Sequence, residues 1–328
     1  MQNKITILTD PIPYKEYFII ENIKILARLF LSIFRNNLVL NNHVKYRGHF
    51  AVTRSLIEGL QKLNLPFVYN PKYKDITDFV IVLSGVRTLK QAISLKKRGK
   101  IKYLFAGPNI VVFSSDHNSI ICSDYIDLVI INSQWTLDLY IKDNIILKSK
   151  IIIWPAGVNS DFWKPTHFNK SKHILIFDKP HILLSEPIDR YRDYIISKGF
   201  TVTIIKYGTF DQVSYLHLLR NTLIMIGFSF SESQGIAWSE AWSTDVPTLI
   251  FENHINKINE KVFNCNTAPF LTNDTGLFFK NYNDFTTQFN SIIENKSKFK
   301  PRQWVLDNLT DEVSAINLLT KISYFNKL

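Results

Sequence analysis

The chain has 328 residues and a formal net charge of +11 at pH 7, with 46% hydrophobic and 20% charged residues. This length is sufficient for two domains, and the composition is typical of folded globular proteins and excludes a largely disordered chain. The sequence has no zinc-ligand spacing, no aromatic RNA-binding signature and no basic arm, so its charge does not indicate nucleic acid. We expect instead an anionic small molecule or an anionic membrane surface as the partner.

Two features of the sequence bear on the compartment. Cys122 and Cys265 are far apart and match no metal-binding or redox spacing, as expected in a reducing cytoplasm. The N-terminal residues lack the positive-then-apolar order of a signal peptide and read as a first strand. We therefore expect a cytoplasmic protein.

The first half of the chain alternates short apolar runs with helical patterns. The helical patterns include Val52–Leu63 and Leu89–Lys97. Such alternation predicts a parallel sheet that is covered by helices on both faces. The apolar runs predict strands at Ile5–Leu8, Phe67–Tyr69, Phe79–Leu83, Lys102–Phe105, Leu128–Ile131 and Ile151–Trp154.

Two segments of this half suggest surface functions. Tyr17–Arg35 has polar residues at three- or four-residue steps, which leaves a wide apolar face. It is too often interrupted by charges to span a membrane, so it is either a core helix or a helix lying on a membrane. The densest basic run extends from Lys96 to Lys102 and is either a solvated helix end or a contact for the inner face of an anionic membrane.

A second series of elements begins after the polar segment Pro165–Lys172, which we predict to be a linker. The two series predict a first α/β domain over residues 1–165 and a second over residues 166–300. Ligands of open α/β sheets bind beyond the carboxyl ends of the strands. The second series predicts strands at His173–Phe177, Thr201–Lys206, Leu223–Phe228, Thr248–Phe251 and Gly276–Phe279.

The stretch from Leu223 to Phe251 carries most of the chemical information in the sequence. Its pattern predicts a buried strand, a polar turn that ends in Gly235, a helix, and a further strand after Pro247. The first turn of a helix has unpaired N–H groups and a partial positive charge, which together favour a phosphate. Glycine at the start lets such a ligand come close to the backbone.

Two carboxylates flank this predicted phosphate position. Glu232 lies in the turn and Glu240 lies inside the helix, so both could bind hydroxyl groups of a ligand whose phosphate lies between them. Alternatively, Ser231 or Ser233 caps the helix, and the glutamates only favour its positive end.

The spacing Glu232-x7-Glu240, with its flanking strands, resembles the Glu-x7-Glu signature of retaining GT-B glycosyltransferases, in particular family 4. The resemblance implies two Rossmann-like domains facing a cleft, with a C-terminal helix within residues 301–328 that returns to the N-terminal domain. It implies a retaining, metal-independent transfer of a sugar from a nucleotide-sugar to a glycan, lipid-linked or other hydroxyl acceptor, with no cofactor. The sequence contains no Asp-x-Asp triplet, the mark of the metal-dependent alternative fold.

The resemblance also implies roles for individual residues. Glu232 would contact the hydroxyls of the donor sugar, and Glu240 would contact the ribose. Gln234 stands where the family has an aromatic residue. The residues that would surround the diphosphate are Ser233, Gln234, Gly235 and Ile236.

Further positions follow from the same resemblance. Ile151–Pro165 resembles the end of the N-terminal domain in these enzymes. Gly48 stands in the first loop, which lies near the donor phosphates in the family. Many relatives have a histidine after the fourth strand of the first domain, and His117 is the nearest replacement for it in this chain. A cation must offset the charge of the leaving diphosphate, and Lys179 and Lys206 are the candidates for it.

Two other functions are compatible with these residues. A sugar-nucleotide epimerase of the same fold would use carboxylates and histidines as acid and base. A non-catalytic sugar-nucleotide-binding protein would keep the donor site without transfer. The missing arginine allows this alternative, since the family often has an Arg/Lys pair at the diphosphate.

Overall fold

The computed structural model describes residues 4–9, 48–166, 172–179 and 186–323, which fall into two compact units. The first unit has the bounds Met1–Lys45 and Pro66–Ile130, and the second has the bounds Tyr46–Leu65 and Ile131–Leu328. Tyr17–Arg35 and most of the predicted linker lie outside the described residues. The predicted domain boundaries at residues 165 and 300 stay predictions.

The first unit is built on parallel strands. Phe79–Ser84 is buried along its whole length, as expected for a strand covered on both faces. The strands are β1 (Ile5–Leu8), β2 (Phe67–Tyr69), β3 (Phe79–Ser84), β4 (Tyr103–Asn109) and β5 (Leu128–Ile131). They pair in parallel in the order β2-β1-β3-β4-β5.

The second unit contains a five-stranded sheet and a separate hairpin. Its strands are β6 (Ile151–Ile153), β7 (His173–Asp178), β8 (Thr201–Lys206), β9 (Ile224–Phe228), β10 (Thr248–Phe251), β11 (Ile255–Ile258), β12 (Lys261–Asn264) and β13 (Gly276–Phe279). The parallel sheet has the order β13-β10-β9-β7-β8, and β11 and β12 form an antiparallel pair. Because its strands are parallel, their carboxyl ends meet at one edge, where β7 and β9 each lead into the turns discussed below.

Helices connect these strands. In the first unit the main helix is α2 (Val86–Lys97), and short 3-10 turns occur at Tyr73–Asp75 and Ile120–Cys122. The helices of the second unit are α1 (Gly48–Lys62), α3 (Gln134–Asp143), α4 (Ile188–Ser197), α5 (Gln212–Asn221), α6 (Ile236–Ser243), α7 (Tyr282–Glu294), α8 (Pro301–Asn308) and α9 (Asp311–Ile322).

The structure contains all of the strands that the sequence predicts, most of them with the same bounds or within one or two residues of them. The helices predicted at Val52–Leu63 and Leu89–Lys97 are also present, although each begins a few residues earlier. The hairpin of β11 and β12 was not predicted. Its sequence, INKINEKVFN, alternates weakly between apolar and polar residues, and all of its strand residues except Phe263 are exposed or half-buried.

The predicted basic run lies at the end of α2 and is partly paired. Lys96 forms an ion pair with Asp127 and donates to the main-chain oxygen of Lys102 at 2.7 Å. Lys97 lies over the ring of Tyr125, with 4.9 Å between its Nζ atom and the ring centroid. A membrane contact through this run stays a prediction. Among the described residues, no helix has the length and apolar character needed to cross a membrane.

Helix α9 packs against α1 within the second unit. The two helices come unusually close at Gly59, where a Cβ atom would lie 2.2 Å from the main-chain oxygen of Asp311 and 2.9 Å from the Cβ of Ala315. The absence of a side chain at Gly59 therefore sets the separation of the two helices.

We predict that Gly59→Ala lowers the free energy of unfolding by about 1–3 kcal/mol, the usual cost of overpacking a tight contact. Gly48→Ala is the matched control on the same helix, since a Cβ atom at Gly48 would have no neighbour within 4 Å. Urea denaturation of both variants measures the difference. Equal stability of the two variants would contradict the close approach at Gly59.

Candidate functional site

The turn between β9 and α6 has the geometry that the sequence predicts. Gly235 is the N-cap of α6 and adopts a left-handed conformation, with φ 81° and ψ 54°. A Cβ atom there would lie 2.3 Å from the Cδ1 atom of Trp238. Both the left-handed backbone and the lack of space for a side chain therefore require glycine. The N-cap position is thus held by Gly235, which has no side chain, and not by Ser231 or Ser233. The N–H groups of Trp238 and Ser239 donate to the main-chain oxygen of Gly235, which leaves, among the described residues, those of Ile236 and Ala237 for a ligand.

Glu232 and Lys179 form an ion pair in front of this turn. The Nζ atom of Lys179, which follows β7, is 2.7 Å from Oε1 of Glu232. Ser229 also donates to that oxygen, at 2.6 Å. The ring of Tyr207 supports the lysine from another side, with 5.1 Å between Nζ and the ring centroid. A carboxylate and a cation are thus held together beside the helix N-terminus.

The main chain of Glu232 is anchored on both sides. Its N–H donates to the main-chain oxygen of Asn266 at 2.9 Å, and its C=O accepts from Nε1 of Trp135 at 2.9 Å. Asn256, in β11, donates to the hydroxyl of Ser231 at 2.9 Å. The ring of Trp135 in turn stacks on Phe263 of β12, with 6.1 Å between centroids. The hairpin and α3 therefore help to fix the position of the carboxylate.

Gln234 has a supporting contact that the sequence does not reveal. Its side chain is 2% exposed and pairs in both directions with the backbone of Ala156. Oε1 accepts from the N–H of Ala156 at 2.9 Å, and Nε2 donates to its C=O at 2.5 Å. Asn132 also donates to Oε1, at 3.3 Å. These partners occupy the side-chain amide of Gln234. Any contact of Gln234 with a bound nucleotide-sugar would therefore come from its main chain.

Glu240 lies one turn into α6 and remains partly accessible to solvent. Within the described ranges, its carboxylate has no hydrogen-bond or ion-pair partner. Burial raises the pKa of Glu240 to about 8, and the positive charge of Arg54 opposes this shift. The nearby Tyr215 is fully buried, and its hydroxyl donates to the main-chain oxygen of Ala237 at 3.0 Å. An unpaired carboxylate in such surroundings is well suited to accept hydrogen bonds from a ligand.

Arg54 is a charged residue near this site that the sequence analysis did not identify. It lies on α1 and pairs with Glu58 at 2.6 Å and with Asp311 at 3.4 Å. Asp311 is completely buried, and this burial raises its pKa to about 6. Asn159 completes the group by donating to Glu58 at 2.6 Å. The i,i+4 spacing of Arg54 and Glu58 is visible in the sequence, but their neighbours are not.

The remaining predicted residues are less closely connected. Ser233 is exposed in the turn, and Ile236 begins α6. Lys206 is exposed at the end of β8, where it is the strand partner of Asp178. Gly48 begins α1. His117 is exposed in the first unit, in a turn where three consecutive non-glycine residues have positive φ. The structure thus brings Glu232 and Lys179 into contact and places Gly235 and Glu240 on the same turn and helix.

The described parts of the chain hold no cluster of three or more His, Cys, Asp or Glu side chains that could bind a metal ion. Metal independence itself stays a prediction.

Solved structures of known proteins share the fold over almost the whole chain. The lipopolysaccharide outer core galactosyltransferase WaaB, in its apo form, has a TM-score of 0.57 at 13% identity, covering 99% of this chain and 100% of that chain. HepE from Anabaena, in complex with UDP and glucose, has a TM-score of 0.56 at 10% identity, covering 98% and 100%. The sucrose-phosphate synthase from Thermosynechococcus elongatus has a TM-score of 0.54 at 10% identity, covering 99% of both chains.

These neighbours are GT-B proteins, and the likeness confirms the predicted GT-B fold for this chain. No protein-family model matches the sequence, and no curated protein matches it. Membership of family 4 stays a prediction.

The raised pKa of Glu240 predicts a specific dependence of stability on pH. The folded protein keeps a proton on Glu240 up to about pH 8, whereas the ordinary pKa of the group is 4.5. Between these values the folded state binds more protons than the unfolded state, so the free energy of unfolding falls as pH rises. Asp311 contributes in the same direction up to about pH 6.

The free energy of unfolding of the wild type should fall between about pH 5 and pH 8. We predict that Glu240→Gln reduces this fall by at least about 1 kcal/mol, because it removes the titrating group. Urea denaturation across this range measures the effect. Glu294→Gln, at an exposed position of α7, is the control and should follow the wild type. A Glu240→Gln curve parallel to the wild-type curve would show that the carboxyl is not perturbed.

Proposed function

We propose that this protein transfers a sugar from a nucleotide-sugar to a hydroxyl acceptor, with retention of configuration and without a metal ion. The observation that carries the proposal is the Glu232–Lys179 ion pair in front of the uncapped start of α6. Glu240, whose carboxyl has no partner among the described residues, adds a group for the ribose to the groups for the sugar and the diphosphate. The GT-B fold supports the same conclusion.

Each part of the donor has a chemically suitable partner. The Glu232 carboxylate accepts hydrogen bonds from the sugar hydroxyls. The N–H groups around Gly235 and Ile236 and the ammonium of Lys179 bind the diphosphate. Glu240 accepts from the ribose hydroxyls. Since those hydroxyls favour the ionised carboxylate, donor binding lowers the pKa of Glu240 and releases its proton.

The transfer step needs stabilisation of the leaving group. The bond between the anomeric carbon and the phosphate oxygen breaks, and the acceptor oxygen forms its bond on the same face of the sugar. The leaving phosphate takes the proton of the acceptor hydroxyl. Lys179 and the helix N-terminus stabilise the negative charge that develops on the diphosphate. We assign no covalent bond to Glu232, because Lys179 and Ser229 already hold its carboxylate.

A sugar-nucleotide epimerase is the second candidate, and the state of Glu240 favours it. A carboxyl with a pKa of about 8 can exchange a proton near neutral pH, as an acid–base catalyst must. In transfer, the same group only binds ribose. The acceptor, whether a glycan or a lipid-linked hydroxyl, and association with an anionic membrane are further proposals that rest on the fold and on the net charge of +11.

We predict that Glu232→Ala lowers the rate of transfer by about 10²-fold or more, because the donor sugar loses its positioning carboxylate. Binding of free nucleoside diphosphate should stay the same or become tighter, since Lys179 is released from its ion pair. Product analysis and calorimetry with UDP or ADP measure the two quantities. Glu294→Ala, which removes an exposed carboxylate from α7, is the control and should keep the wild-type rate. Transfer at the wild-type rate in Glu232→Ala would remove this residue from the site.

We predict that activity survives excess EDTA, because protein groups offset the charge of the diphosphate. Lys179→Ala should lose about tenfold or more in rate, since one charged hydrogen bond to the leaving group is lost. Lys257→Ala, on the hairpin, is the control and should keep its rate. Activity that EDTA abolishes and manganese restores would contradict metal-independent transfer.

A further inference from the structure

The first unit has a second group of unpaired polar atoms, at the carboxyl ends of β3 and β4. Ser84 and Asn109 are strand partners there, and the N–H of Gly85 donates to the main-chain oxygen of Asn109 at 3.3 Å. Gly85 has φ 92° and is the N-cap of α2, a helix of 12 residues. Because the N-cap is a glycine, it offers no side-chain acceptor to the N–H groups of the first turn.

Among the residues that the structure describes, two buried side-chain atoms at this position have no hydrogen-bond partner. They are Oγ1 of Thr88, a residue that is 1% exposed, and Nδ2 of Asn109. Within the described ranges, the only other atoms of this kind belong to the acidic residues Asp311 and Glu312 of the second unit. A buried donor without a partner costs free energy, and a protein retains such a group when a ligand satisfies it.

The chemistry of these groups selects the ligand. The Asn109 amide nitrogen and the main-chain N–H groups of α2 are hydrogen-bond donors, and the Thr88 hydroxyl can donate as well. The N-terminus of α2 adds a partial positive charge, and Arg87 lies exposed in the same first turn. Gly85 and Val86 are partly accessible, so a ligand can reach the turn from solvent. Hydrogen-bond donors at a positive helix end fit an oxyanion.

We propose that Gly85, Val86, Arg87, Thr88 and Asn109 form an oxyanion site for a phosphate group. Asn109 Nδ2 and Thr88 Oγ1 donate to the phosphate oxygens, together with the N–H groups of the first turn. The phosphate belongs to the acceptor, an assignment that rests on the proposed glycosyl transfer. Binding of the anion itself does not depend on that function.

Calorimetric titration of the full chain with inorganic phosphate tests the site. Thr88→Val and Asn109→Leu should each weaken binding by about tenfold, the effect of losing one hydrogen bond to a charged group. Neither variant should lower the midpoint temperature of thermal unfolding, because an apolar side chain replaces a buried group that had no partner among the described residues. A structural role would have the opposite signature, with a lower midpoint and unchanged binding. Ser94→Ala, which removes an exposed hydroxyl from the same helix, is the control.

The donor site also binds phosphate in our proposal, so Lys179→Ala is titrated in parallel. The oxyanion site predicts a binding component that persists in Lys179→Ala and is weakened in Thr88→Val and Asn109→Leu. If Lys179→Ala removes all binding and the other two variants match the wild type, the oxyanion site is wrong and the donor site stands. If only Thr88→Val and Asn109→Leu lose binding, the oxyanion site stands and the donor assignment fails.

Two further probes identify the source of the phosphate. Glucose 6-phosphate represents a soluble acceptor, and vesicles containing phosphatidic acid represent a lipid. Tighter binding of either probe than of inorganic phosphate, weakened by Thr88→Val, extends the proposal to that source. Failure of the wild type to bind inorganic phosphate, the sugar phosphate and the vesicles would overturn it.

Discussion

The candidate site depends on one packing constraint, the position of the Trp238 indole. Its ring lies where side chains at two glycines would be: a Cβ at Gly227 would be 2.7 Å from it, and a Cβ at Gly235 would be 2.3 Å from it. Its Nε1 donates to the main-chain oxygen of Thr267 at 2.8 Å, and its ring contacts Phe177 edge-on at 5.1 Å between centroids. Trp238 thus joins β9, the following turn and the sheet core. Because Gly235 is held in a left-handed conformation, α6 begins at Ile236, a few residues after Glu232, with a glycine at its N-cap.

The charges of the second unit fall into paired and unpaired groups. Lys179 with Glu232 and Arg54 with Glu58 are close ion pairs, whereas Glu240 has no such partner in the described part of the chain. An isolated carboxyl that burial drives towards its neutral form destabilises the ionised protein at high pH. Natural proteins accept such a cost at functional sites, where a ligand supplies the missing partner. Glu240, without a partner among the described residues, is therefore a second sign, beside the Glu232–Lys179 ion pair, that a polar ligand belongs at α6.

Local patterns predicted much of the fold and part of the site. Continuous apolar runs between turn residues identified the parallel strands, since such strands are buried on both faces. Gly235 and Glu232 could be recognised because the turn chemistry is encoded within a few neighbouring residues. The contacts of Gln234 with Ala156 and of Trp135 with the Glu232 main chain join residues far apart in sequence, so no local pattern reveals them. The hairpin of β11 and β12 was missed because its exposed faces give it no regular alternation.

The central claim is that this site binds a nucleotide-sugar and transfers its sugar. The most direct test incubates the protein with a panel of nucleotide-sugars and hydroxyl acceptors, including phosphorylated sugars, and follows donors and products by mass spectrometry. We expect release of nucleoside diphosphate together with an acceptor that has gained the mass of one sugar. A donor converted only to its epimer, or bound without any reaction, would contradict transfer, and a panel in which no donor binds would contradict the site itself.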